Sequence, residues 1–177
     1  MRIIRGTHGG RKILAPANLP VRPTTDLAKE SLFNILDNHV YFEDLDVLDL
    51  FAGTGSISYE FASRGSKSIL AVDIHPRCVK FIAETATRLN FSQLKPIRTS
   101  AMGFLQHCTA KFDLVFADPP YDLEGIEEIA KIVIERDLLK EKGWLIIEHD
   151  KSHDFSSYPG FDQLRNYGKV NFSFFRK

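Results

Sequence analysis

The apolar positions of this chain fall into short continuous runs, separated by longer stretches in which they recur every three or four residues. Val47 to Leu50 is one such run, interrupted only by Asp49; Ser68 to Val72 is a second and ends in Asp73. A short third lies around Pro96 to Arg98, Phe112 to Ala117 is a fourth that stops at Asp118, and Trp144 to Glu148 is a fifth. Runs of this length, bounded by Gly, Pro or Asp, predict strands buried on both faces, as in a parallel sheet. Between them the helical period takes over. Thr24 or Thr25 can cap a helix to about Asn38, with Leu27, Ser31, Leu32, Ile35 and Leu36 on one face, expected to cover a ligand pocket. Further helices are predicted from Ser56 to about Arg64, after Pro76 with Val79, Ile82, Ala83 and Ala86 inward, from Ala101 to near Gln106, and from Leu123 to Leu139. Strand and helix alternating in this way predict an α/β fold with a doubly wound, mostly parallel sheet. The two ends read differently. Arg2 to Arg5 and Arg11 to Leu14, joined through Gly6, Gly9 and Gly10, predict a small N-terminal hairpin; Phe161 to Phe175, turning at Gly168, predicts an antiparallel hairpin at a sheet edge.

The 177 residues suffice for one well-buried domain, here divided into a basic hairpin arm over 1–22 and a ligand-binding domain over 23–177. With 44% apolar and 26% charged residues the composition is that of a globular protein, which excludes the disordered and fibrous classes. No apolar run reaches the roughly 20 residues that cross a bilayer, and the start lacks a signal peptide's apolar core, so a cytoplasmic protein without a membrane partner is expected. Neither Cys78 and Cys108 nor the six histidines have a metal-ligand spacing, and no metal is expected. The chain is taken to be a monomer. Net charge is zero, but the first 25 residues hold Arg2, Arg5, Arg11, Lys12 and Arg22 with no acid, which suits contact with phosphates as well as it suits a solvated surface.

Candidate chemistry concentrates at the ends of the predicted strands. After Val47 to Leu50 comes Phe51-Ala-Gly53-Thr-Gly55-Ser56, where two glycines allow a tight turn against a ligand before a helix begins. A dinucleotide fingerprint would carry a third glycine where this chain has Ser58, and would have no use for a carboxylate at Asp49. Asp49 can instead face an ammonium group or order water beside a cationic ligand, which points to S-adenosylmethionine. Asp73, at the end of the next strand, can accept both hydroxyls of an adenosine ribose. Gly-Thr-Gly alone also makes an ordinary turn; the series of strand, glycine turn, helix, strand and acid is more specific.

In a doubly wound sheet, ligands bind beyond the carboxyl ends of the strands where strand order reverses, and the first and fourth strands flank that point. Asp118-Pro119-Pro120-Tyr121 would therefore share a pocket with Gly53. The Asp118 carboxylate and the Pro119 carbonyl offer adjacent acceptors for an exocyclic amine of a base, and Tyr121 offers a ring on which the base can stack. Hydrogen bonds to both N–H groups would favour pyramidalisation of the nitrogen, and Asp118 would stabilise the charge that develops as it is methylated. Read as a lone tetrapeptide, the segment is also simply a rigid turn.

Taken together, Arg2-Ile-Ile-Arg-Gly, Gly10-Arg-Lys, Arg22-Pro-Thr-Thr-Asp, Lys29-Glu-Ser-Leu-Phe-Asn-Ile-Leu36, Asp49-Leu-Phe-Ala-Gly-Thr-Gly55, Ser63-Arg-Gly65 and Asp118-Pro-Pro-Tyr121 resemble the class I S-adenosylmethionine-dependent methyltransferases. Within these the chain is similar to the bacterial 16S ribosomal RNA (guanine-N2) methyltransferase family that modifies guanine 966. The resemblance implies a Rossmann-like fold and methyl transfer from S-adenosylmethionine to guanine N2 in small-subunit ribosomal RNA, naked or in the subunit. It places the cofactor against Thr24, Thr25, Asp49, Phe51, Gly53, Gly55, Asp73, Ile74, Ser100, Ala101 and Asp118. Thr24 or Thr25 would lie near its methionine end, and Ser100 and Ala101 near its adenine. Catalysis would fall to Asp118, Pro119 and Tyr121, and RNA contact to Arg2, Arg5, Arg11, Lys12 and Arg22. Tyr121 departs from the family pattern, in which Phe is at least as frequent there. The alternatives are an adenine-N6 methyltransferase, which uses a similar loop, and a non-catalytic module that binds S-adenosylmethionine or RNA.

Overall fold

The computed structural model describes residues 1–17, 19 and 26–177. Its centre is a seven-stranded sheet of order β3-β2-β1-β4-β5-β7-β6, made by β1 (Asp46–Leu50), β2 (Ser68–Asp73), β3 (Leu94–Arg98), β4 (Phe112–Ala117), β5 (Leu139–His149), β6 (Phe161–Tyr167) and β7 (Val170–Arg176). The first five strands pair in parallel, whereas β7 pairs antiparallel with both β5 and β6. Helices α1 (Asp26–Leu36), α2 (Ser56–Ser63), α3 (Pro76–Arg88), α4 (Ala101–His107) and α5 (Glu127–Glu135) cover the two faces, completing a Rossmann-like α/β fold. Alternation along the strands divides the core. Val47, Ile69, Leu114, Phe116, Trp144, Ile146, Phe172 and Phe174 point toward α1, α2 and α3. Leu48, Leu50, Val115, Ala117, Leu145 and Ile147 point toward α4 and α5. Both faces are dry, which is why the strands read as continuous apolar runs. Among the described residues no helix is long and apolar enough to cross a membrane.

Several element boundaries differ from the sequence expectation, each for a local reason. The helix expected over Leu123 to Leu139 is only α5: Gly125 at φ +72° precedes it and Asp137 at φ +55° ends it, after which Leu139 pairs with Phe112 and begins β5. The ladder then slips before Trp144 joins Leu114, with Lys142 at φ +62° in the bulge. The buried face of α1 is Ala28, Lys29, Leu32, Phe33 and Leu36, and Leu27 is exposed. On α3 the buried residues are Cys78, Phe81, Ile82, Thr85 and Ala86, so Ile82 and Ala86 face inward as expected whereas Val79 and Ala83 are only partly buried. Helices that bend over a twisted sheet select their inner face by contact, which spacing alone does not fix.

The N-terminal hairpin forms through a single antiparallel bridge, Arg2 with Lys12, and buries Ile3 and Ile13. It is fastened to α2. The fully buried Glu60 carboxylate accepts the Ile4 amide at 2.7 Å and the Arg5 amide at 3.0 Å, and Ser63 receives the Thr7 and His8 amides. Lys29, buried in α1, donates to the Arg2 carbonyl at 2.5 Å and to Ser56 Oγ at 3.1 Å, so it joins the hairpin to the start of α2. Burial holds its amine below the usual lysine range.

Candidate active site

A cavity of about 730 Å³ opens beyond the carboxyl ends of the central strands. The Phe51–Gly55 turn forms one wall. Phe51, Gly53 and Gly55 all have positive φ, at 60°, 55° and 78°, which lets the chain reverse sharply between β1 and α2. Asp73, at the end of β2, braces this turn: its carboxylate accepts the Gly53 amide at 2.8 Å through Oδ2 and the His75 amide at 2.8 Å through Oδ1. Ile74 and His75 continue the wall, followed by Ser100, Ala101 and Met102 at the start of α4, where Ser100 Oγ caps the helix by accepting the Gly103 amide. The opposite wall is Asp118, Pro119, Pro120, Tyr121 and Leu123 after β4. Tyr121 is 42% exposed at the rim of this wall.

Asp49, Phe51, Gly53, Asp73, Ile74, Ser100, Ala101, Asp118, Pro119 and Tyr121 thus line one cavity. Gly55 does not. It leaves no room for a side chain, since a Cβ there would sit 2.7 Å from Tyr59 Cζ and 2.9 Å from Ile82 Cγ1, so its contribution is close packing under the turn. Arg2, Arg5, Arg11 and Lys12 lie on the hairpin, away from the lining: Arg5 pairs with Asp37 at 2.8 Å, Arg2 approaches Asp26 at 4.0 Å, and Arg11 and Lys12 are exposed. Thr24, Thr25 and Arg22 lie outside the described residues. No described residue of α1 lines the cavity, so the helix expected to cover the pocket acts indirectly, through the Lys29 bond to Ser56.

Two features were not singled out from the sequence. Ser58, noted only as the residue that replaces a glycine, donates to Asp49 Oδ2 at 2.5 Å in a buried contact. Asp49 is pushed up to about 7, first by burial and then, against the Ser58 hydrogen bond, by the charges of Asp118 and Asp73. The second is Glu148. Ala117 of β4 pairs with Ile147 of β5, so Asp118 and Glu148 follow one step further along the same two strands. Glu148 lines the cavity, is only 4% exposed, and its Oε2 has no hydrogen-bond partner. Burial and the Asp118 charge push it up to about 8. A carboxylate inside an apolar strand is the signal that would have marked it.

The lining suits a cation that carries an aromatic group. Asp49, Asp73, Asp118 and Glu148 line a space whose only lysine among the described residues is Lys169, while Phe51, Ile57, Ile74, Met102 and Leu123 supply apolar walls. Each acid raised by a neighbouring carboxylate is relieved by a positive ligand. S-adenosylmethionine, with its sulfonium and adenine, fits this donor set, and Asp49, Asp73 and the Phe51–Gly55 turn are the residues that would hold it.

A sheet of this order, with two carboxylate loops meeting where it reverses, defines the class I methyltransferase fold. The chain belongs to the family described as Conserved hypothetical protein 95, which matches residues 1–176. Ribosomal RNA small subunit methyltransferase D of Haemophilus influenzae is 32% identical over 85% of this chain and 79% of that one. The Bacillus subtilis protein YlbH is 29% identical over 100% of this chain and 99% of that one. Among solved structures, the Escherichia coli protein yhhF superimposes with a TM-score of 0.86 at 25% identity, covering 100% of this chain and 97% of that one.

Proposed function

We propose that this protein is an S-adenosylmethionine-dependent ribosomal RNA methyltransferase whose acceptor is the exocyclic N2 amine of a guanine in the small-subunit RNA. The observation that carries this reading is the meeting of the Phe51–Gly55 turn and the Asp118–Tyr121 loop in one cavity lined by acids. Its relationship to the Haemophilus influenzae enzyme supports RNA as the substrate.

The cofactor, when bound, supplies an electrophilic methyl group on a sulfonium. The protein's own contribution is to orient and to stabilise charge. Asp73 accepts ribose hydroxyls while its bonds to the Gly53 and His75 amides keep it in place. Asp118 and the Pro119 carbonyl accept the two N–H groups of the target amine, whose lone pair is otherwise delocalised into the base, and the Asp118 carboxylate stabilises the positive charge that grows on nitrogen. Tyr121 stacks on the base, which must be unpaired or turned out of its helix to present the amine. Arg2, Arg5, Arg11, Lys12 and Arg22 contact RNA phosphates, with the hairpin acting as a docked rim on the catalytic domain. The partner is the ribosomal RNA or the small subunit, which places the protein in the cytoplasm; no membrane or metal takes part.

The test is incubation with small subunits or their RNA from cells lacking the gene, followed by nucleoside digestion and mass spectrometry. N2-methylguanosine is expected. N6-methyladenosine would replace the acceptor assignment, and the absence of any methylated product would leave a binding module.

A further inference from the structure

Glu148 is a buried acid of the cavity that takes no part in the proposed methyl transfer. It sits next to Asp118 across the β4–β5 ladder, one step past the Ala117–Ile147 pair, on the sheet face that also carries Phe116 and Ile146. Its side chain lines the cavity, yet its Oε2 lacks a hydrogen-bond partner. Buried polar atoms are almost always paired, so an orphan beside a ligand cavity points to a donor brought by the ligand. The terminal carboxylate torsion is soft and two-fold, so either oxygen can turn toward that donor.

Resting on the guanine reading above, we infer that Glu148 is the specificity-determining residue that accepts the N1–H of the target guanine while Asp118 and Pro119 hold the N2 amine. In guanine, N1–H and the N2 amine are adjacent donors on one edge, and two neighbouring carboxylates match them. Adenine offers an amine beside a bare N1 lone pair, which an ionised Glu148 repels. A site that must hydrogen-bond one group rejects the analogue lacking it far more strongly than an apolar pocket rejects a change of size. The titratable groups that share the cavity lining with Glu148 are Asp118 and Tyr121 from the loop after β4, Asp49 from β1, Asp73 and His75 from the end of β2, and Lys169 from the β6–β7 turn, of which Asp118 is the charge that acts on it; its β7 neighbours Asn171 and Phe172 are uncharged, and His149 follows it on β5. Burial and Asp118 favour its protonated form in the empty cavity, so it reads guanine only once ionised. Binding of the cationic cofactor promotes that ionisation.

The probe is RNA with 2-aminopurine at the target position. This base keeps the N2 amine but has a lone pair at N1 and a hydrogen in place of O6, so the N1 contact is read from how the ratio of kcat/KM for guanine to that for 2-aminopurine changes with pH and in a Glu148 variant, not from its size. In the wild-type protein the ratio should rise with pH from about 6 to about 8.5, because ionisation turns Glu148 from a donor to N1 into an acceptor. Glu148→Gln, whose amide can present either group, should lower the ratio about 10- to 100-fold, the worth of one hydrogen bond to a charged group, and remove its pH dependence. A wild-type ratio that does not change with pH, or a Glu148→Gln protein that keeps the wild-type ratio and profile, would overturn the inference; the wild-type measurement alone decides if the variant does not fold. Wild-type protein that yields no N2-methylguanosine would overturn the functional reading instead.

Discussion

The Gly53 amide donates to the Asp73 carboxylate at 2.8 Å, and the second oxygen of that carboxylate holds the His75 amide, so one side chain ties two cavity-lining turns together. Asp73→Ala removes both this brace and the proposed acceptor for the ribose. Affinity for S-adenosylmethionine should fall by roughly 1.5 to 3 kcal/mol. Amide exchange at Gly53 and His75 should also accelerate in the ligand-free protein. Calorimetry and hydrogen exchange read the two effects, and unchanged affinity in the variant would remove Asp73 from the site.

Asp49 gives the cavity a pH response. Its carboxyl lies at about 7, above its ordinary 3.8, so the folded protein holds the proton more tightly than the unfolded chain does. The stability it contributes is complete below the ordinary carboxylate range and is lost as pH rises through about 7. A cation is favoured by the ionised form. Cofactor affinity should therefore increase as pH rises from about 6 to about 8, while the Asp49 contribution to the melting temperature of the ligand-free protein is lost between about pH 4 and about pH 7 and then levels off. Asp49→Asn should reduce both responses to the part that Glu148 contributes, and an affinity profile identical to wild type would show that Asp49 does not meet the cationic part of the ligand.

Glu60 has no exposure and accepts the amides of Ile4 and Arg5 together with Arg64 Nε at 3.0 Å. Glu60→Ala strands these donors, at a cost of roughly 3 kcal/mol. Thermal melting should drop accordingly, and exchange protection of the Ile4 and Arg5 amides should disappear before that of β1. Retained protection at those two amides would mean that the hairpin is held by Ile3 and Ile13 alone.

The strands and the cavity loops were legible in the sequence because burial on both faces leaves unbroken apolar runs, and because Gly53, Gly55 and Pro119 have backbone roles few other residues fill. β1, β2 and β4 lie within a residue of the expected bounds, and the reversal between β1 and β4 brings Gly53 and Asp118 to one cavity. What stayed hidden depends on contacts between distant residues. Lys29 looks like a solvated helix residue until the hairpin carbonyl of Arg2 is placed above it. Glu148 looks like the end of a strand until Asp118 stands beside it. The long helix expected from Leu123 failed because Leu138 and Leu139 satisfy a helical period equally well, and only the ladder to Phe112 settles their place.

Arg11 and Lys12 are exposed on the hairpin and have no part in fastening it to α2. Replacing both by Ala should weaken RNA binding and flatten its salt dependence by up to about one unit of slope for each lost phosphate contact, with cofactor affinity unchanged. Titrations at several salt concentrations read the slope. Wild-type affinity and slope would identify this face as ordinary solvated surface.

Asp118 stands between the two acids it perturbs and the amine it is proposed to hold. Asp118→Ala removes the acceptor that matters most as charge develops, so turnover should fall about 100-fold or more while cofactor binding persists. Loss of its charge should also lower both Asp49 and Glu148 toward the ordinary carboxylate range, since that charge raises each of them. The pH at which cofactor affinity rises should therefore move down in the variant, an effect that a purely structural role would not produce. Tyr121→Ala should weaken base capture by roughly 1 to 3 kcal/mol, the contribution of stacking, whereas Tyr121→Phe keeps the ring and should be mild. Single-turnover kinetics separates these outcomes. A rate defect confined to Asp118→Ala and a binding defect confined to Tyr121→Ala are expected, and full turnover in Asp118→Ala would exclude the mechanism.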